Sequence, residues 1–269
     1  MRGVHRPDSA PIEIPDDIFD VLRDAQRVCV LTGAGMSAES GVPTFRDPID
    51  GLWEHYEPEQ LVSIEGWHSD PGTVWAWHLW FATLIARCSP NAGHRALGRW
   101  HRVWQRRGEG TIEVVTQNID DLHERGGATP ISHLHGEINK FRCFECGAPA
   151  SPMLSWPAEP QASIPPPRCP ICGGYIWPGV TWFGEALPAK AIDAAVQSAM
   201  TCDAMIVIGT SGVVYPAAGL PKLAAGRGMP IIEINPRDTD ITHDMDIVWR
   251  ESAAIALPAL VDGIVGDHD

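Results

Sequence analysis

Four of the seven cysteines form two closely spaced pairs, Cys143 with Cys146 and Cys169 with Cys172. Each Cys-x-x-Cys turn directs two thiolates toward one point, and two such turns can close a tetrahedral site of four thiolates. This spacing predicts a structural zinc ion with no open coordination position. A redox-active dithiol and a pair of metal-free turns are the alternatives. A zinc ribbon can also serve only to bind a partner, so a non-catalytic adaptor is a second class of function.

A glycine-rich segment directly follows a run of β-branched residues. The run Arg27–Thr32 predicts a buried strand, and Gly33-Ala34-Gly35-Met36-Ser37-Ala38 comes next. This order fits a loose dinucleotide-binding fingerprint, in which glycines let backbone N–H groups approach phosphate oxygens at a helix N-terminus. An ordinary tight turn would carry the same glycines. No second strand ends in an acidic residue at the usual distance, so Asn235 is the candidate for binding the adenosine ribose.

Three polar residues, Gln117, Asn118 and Asp120, follow the predicted strand Ile112–Thr116. At the carboxyl end of a strand, amides and a carboxylate can bind a carboxamide group and ribose hydroxyls. The alternative is local, because Asn118 or Asp120 could instead cap the helix that follows.

Two histidines, His133 and His135, follow a strand-like run just before the cysteine pairs. An imidazole suits general base catalysis because its pKa lies near working pH. His135 gains as a candidate because it lies just before the predicted insertion, where the carboxyl edge of a sheet can hold a ligand, and its neighbour His133 is the competing candidate.

Short apolar strands alternate with helical patterns along most of the chain. This alternation predicts an α/β fold, a Rossmann-like parallel sheet with helices on both faces. Residues 141–178 interrupt the alternation and predict a small four-cysteine zinc-ribbon insertion, while 1–14 predict a flexible tail. The nucleotide-binding domain would then be discontinuous, 15–140 with 179–265. Predicted strands are 27–32, 112–116, 204–208 and 230–234; predicted helices are 16–25, 71–87, 92–106, 189–200, 216–226 and 252–265.

Composition and charge restrict the class of protein. The 269 residues are 44% apolar and 20% charged, as in globular proteins. A net charge of −14 disfavours non-specific binding of nucleic acid or of an anionic membrane and suits a basic partner such as a lysine-bearing peptide. No segment predicts a membrane span or a signal peptide, and an odd number of cysteines disfavours a disulfide framework. We therefore expect a cytoplasmic protein, with Cys29, Cys88 and Cys202 as ordinary thiols.

The segment from Gly33 to Arg46 resembles the signature of sirtuins, the NAD-dependent protein lysine deacylases. Other motifs of that family follow in the same order, and the match covers about residues 16–262. The order of the motifs makes the resemblance specific. They are Thr116-Gln117-Asn118-Ile119-Asp120, His133-Leu134-His135-Gly136, the paired cysteines, Pro178-Gly179-Val180-Thr181-Trp182-Phe183-Gly184-Glu185, Gly209-Thr210-Ser211 and Ile234-Asn235.

The resemblance implies a reaction and a role for each matching residue. An acyl-lysine would transfer its acyl group to the ADP-ribose of NAD, and nicotinamide would leave. His135 would act as general base and Asn118, with Asp120, would bind the nicotinamide carboxamide. Phe45 would shield the emptied pocket. The implied cofactor-binding residues are Gly33, Ala34, Gly35, Glu39, Thr44, Phe45, Arg46, Gln117, Asn118, Ile119, Asp120, Gly209, Thr210, Ser211, Asn235 and Ala253.

The implied peptide and acyl contacts are made by His78, Phe81, Val180, Phe183 and Gly184. The chain is most similar to the desuccinylase-like branch of the family, which usually carries Tyr-x-x-Arg where this sequence has His78 and Phe81. Without that arginine, an unpaired succinyl carboxylate would be costly to bury. We therefore expect a preference for acetyl-lysine or a longer neutral acyl-lysine. A protonated His78 replacing the arginine is one alternative; for the activity as a whole, NAD-dependent mono-ADP-ribosylation is another.

Overall fold

A six-stranded parallel sheet forms the framework of the protein. The structure, a computed structural model, describes residues 12–43, 61–154, 156–157 and 159–266. Most strands of this sheet are short runs rich in β-branched residues, which favour extended backbone. The strands are β1 (Arg27–Thr32), β2 (Thr111–Thr116), β3 (Ile131–His133), β7 (Ala204–Ile208), β8 (Ile231–Ile234) and β9 (Ile247–Trp249), in the order β3-β2-β1-β7-β8-β9.

Helices cover both faces of this sheet because its strands are apolar on both sides. In β1, Val28 and Val30 pack into one hydrophobic core, whereas Cys29 and Leu31 pack into a second core on the opposite face. Burial raises the pKa of the Cys29 thiol to about 12, so this cysteine is an unreactive core residue. The helices are α1 (Asp16–Arg23), α2 (Gly35–Ala38), α3 (Ile64–Ser69), α4 (Pro71–Arg87), α5 (Ala92–Arg107), α6 (Leu122–Arg125), α7 (Ala189–Thr201), α8 (Leu220–Ala225) and α9 (Ala253–Val265).

The architecture agrees with the predicted α/β fold. The first core contains residues of α1, α5 and α9, and the second contains residues of α7 and α8. The predicted helix at 216–226 is divided into a 3-10 turn, Ala217–Gly219, and α8. Two strands, β3 and β9, were not predicted because three residues are too few to show a periodic pattern.

A second, antiparallel sheet carries the cysteine pairs. It consists of β4 (Gly136–Cys143), β5 (Pro149–Ala150) and β6 (Ile176–Val180), with β4 in the centre. This sheet extends beyond both ends of the predicted insertion, 141–178. Helices α3 and α4 pack against it, since Trp67 and Trp75 share a hydrophobic core with Trp177. Part of the segment predicted to belong to the nucleotide-binding domain therefore packs on the cysteine-bearing sheet.

In the part of the chain that the structure describes, no helix has the length and apolar character needed to cross a membrane.

Candidate active site

Two glycine-containing loops meet at the carboxyl edge of the parallel sheet. The amides of Gly33 and Gly35 donate hydrogen bonds to the carbonyls of Ile208 and Gly209, at 2.9 and 2.8 Å. A Cβ atom on Gly35 would lie 2.7 Å from the Cα of Gly209. These glycines are required because the two loops touch. Their N–H groups are already bonded within the protein, which differs from the phosphate-binding role suggested by the fingerprint.

Asn118 and Asp120 converge on Ser37, which lies in the short helix α2 that follows β1. The Ser37 hydroxyl donates to Asp120 Oδ2 at 2.8 Å and accepts from Asn118 Nδ2 at 3.1 Å. Asn118 Nδ2 also donates to the Gly33 carbonyl at 3.1 Å. Burial raises the pKa of Asp120, although its bonds from Leu122 and Ser37 oppose that shift. Among the described residues, no donor reaches Asn118 Oδ1, so this acceptor remains open to a ligand.

Asp120 can cap the following helix and also belong to the polar cluster. Its Oδ1 accepts from the Leu122 amide at 3.0 Å, at the start of α6, while its Oδ2 bonds Ser37. Asp120 thus fixes the first turn of a helix and also contributes to the polar cluster.

Two buried histidines that the sequence did not single out support this cluster. His94 Nδ1 accepts from the Asn91 amide at 3.3 Å, so Nε2 carries the proton and lies 3.5 Å from the Ser37 hydroxyl. Burial lowers the pKa of His94 to about 4, with contributions from Arg95 and Arg125. A neutral His94 with its proton on Nε2 can therefore only donate a hydrogen bond to the Ser37 hydroxyl.

The second of these histidines, His123, is connected to Asn118 by hydrogen bonds that pass through Thr32 and Thr116. The Thr32 hydroxyl donates to Thr116 Oγ1 at 2.9 Å and lies 3.0 Å from His123 Nε2. Thr116 Oγ1 in turn accepts from the Asn118 amide at 3.0 Å. Burial lowers the pKa of His123 well below its ordinary value, so the ring is neutral. This chain of hydrogen bonds fixes the backbone of Asn118.

Gln117 connects the cluster to the loop that follows β7. Its Nε2 donates to Thr210 Oγ1 at 2.9 Å, and Asn235 Nδ2 donates to the Thr210 carbonyl at 3.1 Å. The carbonyl of Ser211 accepts from the Asp240 amide. The predicted residues Gln117, Thr210, Ser211 and Asn235 therefore lie along one edge of the sheet.

His135 faces the same edge with one ring nitrogen free to accept a proton. Its Nδ1 lies 2.8 Å from the Gln117 carbonyl, so Nδ1 carries the proton and Nε2 is the acceptor. Burial lowers the pKa of His135 below its ordinary value, against the opposing effect of the Gln117 bond, which favours the neutral base. Gly136 must be glycine, because its φ is +73° and an added Cβ would lie 2.1 Å from the Gly179 carbonyl.

His133 has a different environment and no free nitrogen. Its Nδ1 donates to the Asn118 carbonyl at 3.2 Å and its Nε2 pairs with Glu124 Oε1 at 2.7 Å. Burial alone would lower the pKa of His133, but the bond and charge of Glu124 raise it. His133 is thus already engaged as an ion-pair partner, and geometry favours His135 as the base.

The four cysteines of the two pairs bring their sulfurs together at one point. Cys143 Sγ lies 3.4 Å from Cys172 Sγ, and Cys146 Sγ lies 3.9 Å from Cys169 Sγ. Sulfurs around a tetrahedral zinc ion at about 2.3 Å are about 3.8 Å apart, whereas a disulfide needs about 2.05 Å. Backbone amides of Cys146, Ile171 and Gly174 donate to the sulfurs. The site therefore fits zinc and has the closed four-thiolate form of a structural site.

Comparison with known proteins identifies the family. The Sir2 family model matches residues 33–216. The chain belongs to the Sir2 family. An NAD-dependent protein deacylase of Corynebacterium glutamicum is 46% identical over 91% of this chain and 94% of its own length. An NAD complex of a Sir2 homologue has a TM-score of 0.83 and 38% identity, covering 97% of this chain and 98% of its own. A complex of a Sir2 protein with a p53 peptide and NAD has a TM-score of 0.77 and 26% identity over 92% and 97% of the two chains.

Other residues that the Sir2 motifs single out have structural partners. Glu39 accepts bonds from the Ser252 hydroxyl and the Ala254 amide, both at 2.9 Å, and so caps the first turn of α9, in which Ala253 is buried. The Ile119 carbonyl accepts from Ile138 in β4. Ala34 lies between the two glycines of the first loop. Thr44, Phe45 and Arg46 lie outside the described residues.

The motif predicted to bind the peptide forms a loop directly beside His135. The His135 carbonyl accepts from the Thr181 amide at 2.8 Å, and the register pairs Gly136 with Val180. Phe183, half exposed, donates its amide to the Val62 carbonyl at 3.0 Å. Gly184 follows it in a left-handed conformation with open space around it. We call residues 180–185 the substrate loop.

Residues of the cysteine-bearing sheet and of α4 contact the substrate loop and fix its position. Arg142 forms an ion pair with Glu185, whose other oxygen accepts from the Trp182 amide at 3.2 Å. From α4, His78 stacks on Trp182 at a centroid distance of 5.2 Å. Phe81 packs against the cluster that contains Val62. The predicted acyl contacts His78 and Phe81 are therefore adjacent to the loop predicted to bind the peptide.

Sequence reasoning did not find Ser37, His94 or Arg142 as functional candidates. Ser37 and His94 are 57 positions apart and meet only after folding. The Asn91-x-x-His94 spacing was a usable signal, because it forms a capping box at the start of α5. Arg142 gives no such signal, since its partner is set by the pairing of β4 with β6.

Proposed function

We propose that the chain is an NAD-dependent protein lysine deacylase that transfers the acyl group to ADP-ribose and releases nicotinamide. The observation that carries this proposal is the position of His135. Its unprotonated Nε2 opens on the same sheet edge as Asn118 and Asp120, and its backbone bonds the substrate loop. A base, a carboxamide-binding pair and a peptide-binding loop thus lie side by side.

The donors and acceptors of this edge fit NAD. A nicotinamide carboxamide has two N–H donors, and within the described part of the chain Asn118 Oδ1 and the remaining lone pairs of the Asp120 carboxylate could accept them. Gln117 and Asn235 would lie along the ribose and adenosine side. When bound, NAD would supply the electrophilic ribose carbon that receives the acyl group, with nicotinamide as the leaving group.

The protein would contribute a positioned base and a fixed carboxamide site. His135 would take a proton at Nε2, and the Gln117 carbonyl would stabilise the imidazolium through Nδ1–H. Ser37 and Thr116 would hold Asn118 still, so that little reorganisation is needed when the ligand binds. An acylated peptide would add a strand beside Val180 and Phe183.

A single incubation distinguishes this function from its alternatives. The protein is mixed with NAD and an acetyl-lysine peptide, and the products are identified by mass spectrometry. Free lysine peptide, nicotinamide and O-acetyl-ADP-ribose are expected. An ADP-ribosylated protein with the acetyl group retained would indicate a transferase. NAD binding with no turnover, in a protein whose zinc content is one ion per chain, would indicate an adaptor.

We also propose that neutral acyl groups are preferred over succinyl. Burial lowers the pKa of His78 to about 4, against the opposing bond to the Val74 carbonyl, so its ring carries no charge at pH 7. This argues against His78 as a substitute for the missing arginine. The test compares kcat/KM for acetyl, butyryl and succinyl versions of one peptide. A succinyl value above the acetyl value would contradict the proposal.

A further inference from the structure

Three side chains of metal-binding types meet beside the polar cluster, and the proposed reaction uses none of them. His133 ends β3, Glu124 lies in α6 and Glu137 lies in β4. His133 Nε2 lies 2.7 Å from Glu124 Oε1, and one ligand atom from each of the three residues lies within 4.8 Å of the others. One imidazole nitrogen and two carboxylate oxygens thus come together from three separate elements.

The imidazole of His133 is already oriented as a metal ligand. Its Nδ1 donates to the Asn118 carbonyl at 3.2 Å, so Nε2 is the nitrogen left to face Glu124. Histidines that bind metals usually donate their other ring N–H to a carbonyl or a carboxylate, which fixes the ring. The His133 side chain is 7% exposed, so packing also holds it in place. An ion that bound at Nε2 would therefore meet a ring that needs no rearrangement.

The two carboxylates have room to adjust to an ion. The side chains of Glu124 and Glu137 are 41% and 23% exposed. Nitrogen and oxygen ligands about 2.1 Å from a tetrahedral zinc ion are about 3.4 Å apart. A small rotation of the glutamate side chains would bring the three ligand atoms to that spacing, with water in the remaining position.

The charges around this cluster favour a divalent cation. Lys140 Nζ now pairs with Glu137 Oε1 at 2.5 Å, and the lysine side chain is 68% exposed. Exposed ion pairs of this kind are weak, so an ion held by three groups at once can displace the ammonium. The net charge of −14 also raises the local concentration of cations.

The ligand types restrict which metal would bind. Magnesium and calcium take oxygen ligands, whereas an imidazole nitrogen suits zinc, nickel and copper. Zinc accepts both an imidazole nitrogen and carboxylate oxygens. One histidine with two glutamates therefore selects a transition metal over the alkaline-earth ions.

We propose that Glu124, His133 and Glu137 form a second site for a divalent transition metal, Zn²⁺ above all, separate from the four-cysteine site. Binding releases any proton held at His133 Nε2, as metal binding to histidine does. Two of the ligands reach solvent, so dialysis without added metal should empty this site and leave the cysteine-bound zinc. The bound ion would join α6, β3 and β4 and stabilise the folded chain. The inference does not rest on the proposed deacylase function.

The test measures zinc in the full-length protein that already carries its cysteine-bound ion. The protein is dialysed against increasing free Zn²⁺, and zinc per chain is determined by atomic absorption. A second equivalent should bind saturably, and a large excess of Mg²⁺ should not displace it. Glu124→Gln and Glu137→Gln should each weaken this binding by at least about tenfold, since even the loss of an outer partner costs about 10–100-fold. Lys140→Gln removes the competing ammonium and should tighten binding by up to about fivefold.

His243→Asn is the matched control. His243 is an exposed histidine 3.4 Å from Asp244, and it belongs to no group of three ligands in the described part of the chain. This variant should bind the second zinc ion with unchanged affinity. The second ion should also raise the Tm of the wild-type protein and of His243→Asn, but not that of Glu137→Gln at the same Zn²⁺ concentration.

Three results would overturn the inference. Zinc content could stay at one ion per chain as free Zn²⁺ increases. A second ion could bind with the same affinity in both glutamine variants, which would assign it to other surface groups. Displacement of the second ion by Mg²⁺ would indicate a non-specific acidic surface. Because every readout is binding or stability, a protein that turned over no acyl peptide would still test this site.

Discussion

The two ends of the candidate site differ in how fully their polar atoms are paired. At the sheet edge, Ser37, Asn118 and Thr116 share hydrogen bonds whose directions are fixed by neutral, buried histidines, and of these polar atoms the Nδ1 of His123 lacks a partner among the described residues. At the other end, His78 and Trp182 present buried polar atoms that no described residue satisfies. The first end is organised before any ligand arrives, whereas the second leaves buried polar atoms without a partner among the described residues.

This difference separates the reaction from its specificity. A preorganised polar edge stabilises a developing charge without having to reorganise, so the chemistry depends little on the acyl group. An aromatic end with few polar atoms discriminates between acyl groups, because some acyl groups form hydrogen bonds with these atoms and others leave them unpaired. Substitutions at the sheet edge should therefore reduce turnover of every acyl peptide equally, and substitutions near His78 should change the ratios between them.

The largest effect is expected from the zinc site, because both ends depend on the sheet that carries it. Cys143→Ala should abolish zinc binding, lower solubility and remove activity, since a metal ligand set of this kind supplies folding free energy. Zinc content by atomic absorption and thermal unfolding would be measured together. Cys88→Ala, at a cysteine outside the cluster, is the control and should retain one zinc per chain. Retention of zinc by Cys143→Ala would contradict the four-cysteine assignment.

The next largest effect is expected at His135. His135→Ala removes the proposed base and should lower kcat/KM by about 10²–10⁴-fold for acetyl and butyryl peptides alike. Circular dichroism should be unchanged, because the ring makes one hydrogen bond to a backbone carbonyl and does not belong to a hydrophobic core. Full activity in this variant would show that another group, such as His133, is the base.

The pH dependence of the wild-type protein provides a separate check on His135. The proposed base works when neutral, and burial lowers its pKa below the ordinary 6.5. Activity should therefore be lost only as the pH falls through that lowered value. An acid limb of kcat/KM centred above 6.5 would indicate a different titrating group.

The sequence predicted most of the framework, although it did not predict β3 or β9. β1 and β7 have the bounds that their β-branched runs predicted, and α4 has the bounds of its apolar pattern. The polar network was not predicted, because Ser37, His94 and His123 come from different elements and sequence spacing does not show how those elements pack. The neutral state of His78 also needed the structure, since burial decides its pKa.

A smaller effect is expected at Ser37, which connects Asn118 to Asp120. Ser37→Ala leaves Asp120 Oδ2 without its donor and removes one of the two hydrogen bonds of the Asn118 side-chain amide, which keeps its bond to the Gly33 carbonyl. The loss of one such bond corresponds to about 1–3 kcal/mol, or roughly five- to 150-fold in kcat/KM. Ser40→Ala is a matched control, because the Ser40 hydroxyl is buried without a partner among the described residues. Equal losses in both variants would mean that the network does not position Asn118.

The smallest effect is expected at Glu185, which joins the two ends by holding the substrate loop. Its pairing with Arg142 is partly exposed, and such ion pairs contribute about 0–1 kcal/mol. Its second oxygen, however, accepts from the Trp182 amide. Glu185→Gln removes the charge but keeps one acceptor, so KM should rise only about two- to fivefold with kcat unchanged. Glu185→Ala removes both contacts and should raise KM further, because the loop loses its internal bond as well.

Lys140→Gln serves as the control for Glu185, because Lys140 lies on the same strand as Arg142 and its ion pair with Glu137 does not involve the substrate loop. It should leave KM unchanged. If Glu185→Ala lowered kcat and not KM, the loop would act on the chemical step. The two ends of the site would then be coupled, because loss of a contact at the peptide side would disturb His135, whose carbonyl holds the Thr181 amide. A change confined to KM would instead support a loop that only positions the peptide, with the reaction and its specificity controlled separately.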